Sequence, residues 1–284
     1  MKIEYKRIFI LFCVLAAMIL SATVFCCRNL IYIAALQFFE DDLKLEKIDV
    51  SVEWISLDEL KQDSKFTFDQ SLMLINEDYK IPEETCFNVD EYKDSGVLMN
   101  ECALESYSEF SAAVFNETGE RLLVMSHFRT KEDQTEVYEE SPSLAAVPGS
   151  SEHEAGLCLD LYVQYNAGDN FIKTAGGKFV NTNCHEYGFI IRYPFYGKKS
   201  TGIRYEPWHI RYVGKIHAKL IYSNRMTLEE YIFSLKPNTV YSVENYCIVR
   251  SEYKNGCVLV PLNFSEYVVS FDNTGHYIIT CWNN

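Results

Sequence analysis

From Ile8 to Cys27 the chain runs without a charged side chain, preceded by Lys2, Lys6 and Arg7. A helix of that length can cross a bilayer, and the basic flank favours a cytoplasmic N-terminus. A cleaved signal has a shorter apolar region ending in an Ala-x-Ala-like site. Here the run goes on through Cys26 and Cys27 into a second apolar stretch, Leu30 to Phe39, so an uncleaved anchor is expected over residues 1–27. The pattern then turns charge-rich from Glu40 to Lys65, which suits a stem over 28–65.

Beyond the stem the periods alternate. Leu72 to Asn76 is a short apolar run closed by polar residues and Pro82, and predicts a strand. Leu98, Cys102, Leu104, Phe110, Ala113 and Val114 recur at helical spacing, and Asn116 to Gly119 supplies a stop. Leu122 to Met125 predicts a buried strand. Thr130 followed by Asp133 resembles a helix-start signal, which places Arg129 at a strand-to-helix junction. Pro148 to Ser151 is a turn leading to His153 on a bend, and Leu157 to Val163 alternates as a strand carrying Asp160. Asn181 to Tyr187 predicts a short helix stopped by Gly188, with a strand over Phe189 to Ile191. Met226 to Leu235 predicts the last helix of a catalytic unit spanning 66–236. From 237 to 284 the chain reads as several short strands rich in Tyr, Val and Ile, a small β appendage.

Bulk properties narrow the function. A net charge of -14 argues against nucleic acid, which selects basic surfaces. With 48% hydrophobic and 14% aromatic residues, the 284-residue chain has the means for a sizeable core. Of ten cysteines, Cys13, Cys26 and Cys27 fall in the anchor; the remaining seven cannot all pair within one chain. None forms a Cys-x-x-Cys pair, which disfavours a cysteine zinc knuckle. Isolated buried thiols are expected, with a bridge from Cys247 to Cys257 or Cys281 left open.

Chemistry gathers in two stretches, Ser151 to Asp160 and Glu206 to Val213. His153, Asp160 and His209 offer two imidazoles and a carboxylate, a set that gives one zinc ion three protein ligands and leaves a fourth position for water. Glu206, three residues before His209, can take a proton from that water. Pro207 disfavours the α conformation for Glu206, so Glu206 and His209 are expected on an extended segment and not on a His-Glu-x-x-His helix. His127, His185, His217 and His276 lack such company and are read as structural. Cys158 shares a strand face with Asp160 and is read as a small packed residue; Glu152 and Glu154 are read as flanking groups.

These two motifs, with Ser126-x-x-Arg129, Gln134, Ser71 to Asn76, Pro148 to His153, Tyr187 to Pro194 and Thr201-Gly202, resemble the zinc D-alanyl-D-alanine carboxypeptidases of the VanY type, relatives of the VanX dipeptidases. The resemblance covers roughly Leu72 to Tyr231. It implies an α+β fold, a small mixed-helix and antiparallel-sheet zinc peptidase domain, here with an N-terminal transmembrane helix and a small C-terminal β appendage. It further implies that His153, Asp160 and His209 bind one Zn²⁺, that Glu206 is the catalytic base and Arg129 its partner beside the scissile carbonyl, and that Ser151, Gln134 and Tyr193 recognise the peptide end. The implied substrates are peptidoglycan stem peptides ending in D-Ala-D-Ala. With the anchor, this implies a single-pass protein of the bacterial cell membrane whose catalytic domain lies on the extracytoplasmic side. His127 and Phe128 stand where that family more often has a small residue and Tyr, and Cys158 stands where Ala is common. L,D-carboxypeptidase or endopeptidase action on the same peptides, or wall binding without catalysis, are the alternatives.

Overall fold

A computed structural model describes residues 2–143 and 145–283; Met1, Leu144, Asn284 and the side chains of residues 2–8, 10, 11 and 26 lie outside the described set. The chain divides into two units, Met1–Glu40 and Asp41–Asn284. The first is helix α1, Lys2–Phe39. Among the described residues no single helix is long and apolar enough to cross a membrane, whereas Phe12–Phe25 and Cys27–Phe39, bent by 65°, meet that test together by length and composition. An unbroken span over Ile8 to Cys27 is thus not shown by the described residues.

In the second unit the chain passes through strands β1 (Glu46–Lys47) and β2 (Val52–Ser56), the single turn α2 (Leu57–Leu60), and strands β3 (Phe66–Asp69), β4 (Val89–Glu91) and β5 (Leu98–Asn100). Helix α3 (Glu101–Thr118), strand β6 (Leu123–Ser126), helix α4 (Lys131–Glu140) and strand β7 (Cys158–Tyr162) follow. Next come α5 (Ala175–Asn183), β8 (Phe189–Ile191), α6 (Lys198–Thr201), β9 (His209–Tyr212), α7 (Lys215–Ser223) and α8 (Leu228–Ser234). Five strands end the chain: β10 (Val240–Val243), β11 (Tyr246–Glu252), β12 (Cys257–Pro261), β13 (Glu266–Phe271) and β14 (His276–Trp282).

Strands β6, β7, β9 and β8 form an antiparallel sheet in that order. Its alternation separates packing from chemistry, because successive strand residues point to opposite faces. Leu159, Leu161, Ile210 and Phe189 pack beneath α3 and α5 against Tyr107, Phe110, Val114 and Val180. The intervening positions, Cys158, Asp160, His209 and Arg211, share the other face. Full burial of one such apolar side chain stabilises by about 1.5–3 kcal/mol, so the helix-facing side anchors the strand register on which the chemical side depends.

A six-stranded sheet, β1-β10-β11-β14-β13-β3, is antiparallel except where β13 meets β3 in parallel. One face packs Tyr241, Val243, Ile248 and Ile278 against Ile216, Leu220, Leu228 and Ile232 of α7 and α8. The other packs Val249, Val269 and Ile279 against Val258 and Val260 of β12 and against Leu57 and Leu60. His217 of α7 fastens helix to sheet, its ring nitrogens lying 2.6 Å from the Tyr231 hydroxyl and 2.9 Å from the Thr280 hydroxyl. Burial keeps this imidazole neutral, pushing its pKa down to about 3.

These sheets change the expected boundaries at 65 and 237. Residues 41–65 are not a free stem: β1 pairs with β10, and β2 pairs with β12. The five C-terminal strands are accordingly not a separate appendage: four complete the six-stranded sheet with β1 and β3, and β12 pairs with β2, each early partner lying some 200 residues before. Three local expectations also change. Leu72 to Ile75 is buried but joins no ladder; its backbone groups are met by Ser270 Oγ, the Asp272 carbonyl and Arg211 Nη2. Leu123 and Met125 are exposed, so β6 is an edge strand and not a buried one. Leu98 belongs to β5, and α3 begins only after Asn100, whose side chain accepts from the Cys102 amide. The stop at Gly119 stands, in the left-handed conformation that glycine adopts without strain. Cys281 lies opposite Cys247 across β14 and β11 with both thiols free.

Candidate metal centre

Strand register assembles most of the centre. Asp160 of β7 is directly opposite Ser126 of β6 on one side and His209 of β9 on the other. Paired residues across antiparallel strands bring their Cβ atoms to about 4.5–5.5 Å, and here Asp160 Oδ1 lies 3.0 Å from His209 Nδ1. His153 comes from the short helical turn Glu152–Ala155, which Gly156 ends at a positive φ of 66°. A methyl group at Gly156 would meet the Asn100 backbone nitrogen at 2.8 Å. Only glycine therefore lets this turn close against β5 and present His153 Nε2 at 3.4 Å from Asp160 Oδ2.

Each imidazole is oriented from behind. His153 Nδ1 lies 2.9 Å from the His127 carbonyl oxygen, which can only accept, so Nδ1 carries a proton and Nε2 is the nitrogen turned toward Asp160. His209 Nε2 faces Glu152 Oε2 at 3.7 Å, leaving Nδ1 toward Asp160. Glu152 is itself buried, its Oε1 accepting from Arg192 Nε at 2.6 Å and Arg211 Nη1 at 2.7 Å. Arg192 then donates both terminal nitrogens to Glu229, at 2.9 and 2.6 Å. Burial alone would raise the Glu152 carboxyl, but the two guanidinium groups hold it well below the usual carboxylate range.

The remaining residues line a cavity of about 550 Å³ that also exposes Arg129, Ser151, Tyr193 and Glu206. Glu206 Oε2 is 3.9 Å from His209 Nδ1, and its backbone amide is tied to the Tyr193 carbonyl at 3.0 Å. Burial raises its carboxyl above the usual range; Asp160 adds to the rise and His209 opposes it. The Tyr193 ring lies 4.9 Å from the His209 ring. The Arg129 amide donates to the His153 carbonyl, and Arg129 Nε is buried with no protein acceptor. Gln134 differs from its expected place: it is buried behind the wall, donating Nε2 to the carbonyl of Ala146, and it is Ala146 that lines the cavity. Glu206 lies outside any helix, and its carbonyl accepts from the His209 amide at 3.2 Å across the turn of Pro207 and Trp208 before His209 opens β9.

The cluster is rich in acid and short of positive charge. Burial would lower the His153 pKa, yet Cys158 and Asp160 raise it to about 9. His209 rises for the same reason, again against burial. Asp160 Oδ1 has no well-formed hydrogen bond although it is buried. Two imidazoles, a carboxylate and a thiol that converge here, with Asp160 Oδ1 left without a well-formed hydrogen bond, make a place that fits a divalent cation, and the donors present suit zinc. The buried Glu152–Arg192–Arg211–Glu229 array was not foreseen from sequence; Arg211 lying two residues after His209, on the same strand face, was the available signal.

A cleft on a four-stranded antiparallel sheet, lined by residues that could hold a metal ion, is the class that fold and site define. The profile of the family described as VanY: D-alanyl-D-alanine carboxypeptidase matches residues 96–215. A D-alanyl-D-alanine carboxypeptidase of Enterococcus faecium is 32% identical over 232 residues, covering 74% of each chain. Among solved structures, a mutant of the vancomycin-resistance D,D-pentapeptidase VanY in complex with Zn(II) aligns with 29% identity and a TM-score of 0.51, over 58% of this chain and 99% of that one. The vancomycin-resistance D,D-dipeptidase VanXYg, in complex with a D-Ala-D-Ala phosphinate analogue, shares the fold at a TM-score of 0.66 and 22% identity, over 83% of this chain and all of that one. The chain belongs to the VanY family of D-alanyl-D-alanine carboxypeptidases.

Proposed function

We propose that this chain is a zinc-dependent D,D-carboxypeptidase that releases the terminal D-alanine from peptidoglycan stem peptides. The observation that carries the reading is the register of β7 against β9, which sets Asp160 between His153 and His209 with Glu206 beside them. His153, Asp160 and His209 would hold one zinc ion. When bound, zinc supplies a Lewis acid that polarises a carbonyl oxygen and lowers the pKa of water toward about 7.

The chain's own groups do the rest. Glu206, its carboxylate made more basic by burial, takes a proton from the attacking water and returns it to the departing amine nitrogen. Arg129 meets the charge that develops on the carbonyl oxygen, an interaction worth about 3–4 kcal/mol where such donors have been removed. Ser151 and Tyr193 bound the space for the terminal residue, while Gln134 supports that wall through Ala146. No covalent intermediate is required of Ser151. Residues 8–27, uncharged and preceded by three basic residues, would hold the enzyme to the membrane with residues 41–284 on the extracytoplasmic side.

Digestion of defined stem peptides followed by mass spectrometry tests the reading. Release of one D-alanine from a pentapeptide ending in D-Ala-D-Ala, with the matching tetrapeptide left intact, is expected. Cleavage of the tetrapeptide alone would assign L,D-carboxypeptidase action, and cleavage of neither would remove the hydrolase assignment.

A further inference from the structure

The sheet face that presents Asp160 presents a second donor. Cys158 lies two residues earlier on β7 and is fully buried. Its Sγ and one ring nitrogen from each of His153 and His209 all lie within 4.8 Å of one another. A tetrahedral zinc ion bound at about 2.0–2.3 Å from nitrogen and sulfur holds such atoms roughly 3.5 Å apart, so the trio stands close to a coordination set before any ion arrives. The other core thiols are placed differently: Cys281 Sγ donates to the Cys247 carbonyl at 3.6 Å, and Cys184 lies beneath α3 among apolar side chains. Cys158 instead has two imidazoles as its partners.

We infer that Cys158 is a fourth protein donor to the metal, binding through its sulfur beside His153, Asp160 and His209. The inference rests on the proposed zinc site and deepens it. On coordination the S–H bond is replaced by a sulfur–metal bond, and the proton passes to water. Two consequences follow from the chemistry of a thiolate. As a soft donor it favours zinc and cadmium over magnesium or manganese and lengthens metal retention. It also takes the position that hydrolysis needs for water, so it acts as a brake: turnover requires the sulfur to withdraw or the ion to accept a fifth ligand.

Cobalt(II) substitution of the purified protein separates the possibilities, because bound cobalt gives visible d–d bands and a thiolate ligand adds a charge-transfer band in the near ultraviolet. The wild-type protein is expected to show both sets, and Cys158→Ala to keep the d–d bands while losing charge transfer. In competition with a chelator, Cys158→Ala should hold zinc more than about tenfold more weakly, since even outer partners of a metal site contribute 10–100-fold. Its turnover when saturated with zinc should rise. Cobalt bound by the wild type without a charge-transfer band would overturn the cysteine assignment and leave the His–Asp–His site standing. Absence of bound cobalt would overturn both. Should Cys158→Ala fold poorly, Cys158→Ser provides the same spectroscopic reading in a nearly isosteric side chain.

Discussion

Two buried charge clusters lie back to back on either side of Glu152, and they are built on opposite principles. In the first, Glu152 and Glu229 face Arg192 and Arg211, two acids against two bases, with bidentate and backbone hydrogen bonds satisfying the guanidinium groups. In the second, Asp160, Glu206 and Cys158 surround two imidazoles, and buried atoms remain without well-formed partners. The first is neutral from within, two carboxylates against two guanidinium groups. It holds β9, β8 and the turn carrying His153 in one frame. The second gathers two imidazoles, a thiol and carboxylates within reach of one another, a set suited to a cation from outside. The guanidinium groups of the first cluster are fully engaged, and its one buried oxygen without a hydrogen bond, Glu152 Oε2, is the one that faces His209 across 3.7 Å.

The largest effect separating the two clusters should come from Glu206→Gln. Loss of general base function costs about 10²–10⁴-fold in rate, so turnover of a D-Ala-D-Ala peptide should fall by that range while zinc content stays unchanged. Wild-type activity in that variant would remove Glu206 from the chemistry. Glu152→Ala should act on folding instead. Removing one partner of a buried ion pair costs about 3–5 kcal/mol, which denaturant unfolding would read; a loss below about 1 kcal/mol, the range of a surface pair, would show that the array is not the frame described.

A smaller effect belongs to His217, outside both clusters. Its folded pKa is depressed to about 3, below the value of about 6.5 in an unfolded chain. The unfolded state therefore binds the proton more readily, and stability present above pH 6.5 is lost as pH falls from there toward 3. Between pH 7 and 5 the loss attributable to this residue is about 2 kcal/mol. Chemical denaturation of His217→Gln should show a drop over that interval smaller by this amount; an equal drop in both proteins would place the acid sensitivity elsewhere.

Legibility in the sequence followed the same divide. Asp160 and His209 fall on strands, whose alternation fixes their faces, and His153 on the turn that Pro148 to Ser151 lead into, while Pro207 spoke locally against a helical zinc motif. The partners that orient them could not be read: Glu152 looked like a charged neighbour of a ligand, and only the meeting of β8, β9 and the 152–155 turn brings Arg192 and Arg211 onto it. Gln134 had the chemistry for substrate but is turned by α4 toward Ala146. The stem was misread for a related reason. Val52 to Ser56 is a short run, Val-Glu-Trp-Ile-Ser, inside a charge-rich stretch, and nothing local reveals that its partner strand begins at Cys257.

The claim on which all of this depends is that the second cluster is completed by a metal ion. Metal analysis of the purified protein, with release of D-alanine followed before chelation, after it and after re-addition of zinc, addresses it directly. The account predicts about one zinc per chain, loss of activity with the metal and recovery on its return. Full activity in protein stripped of metal would contradict it.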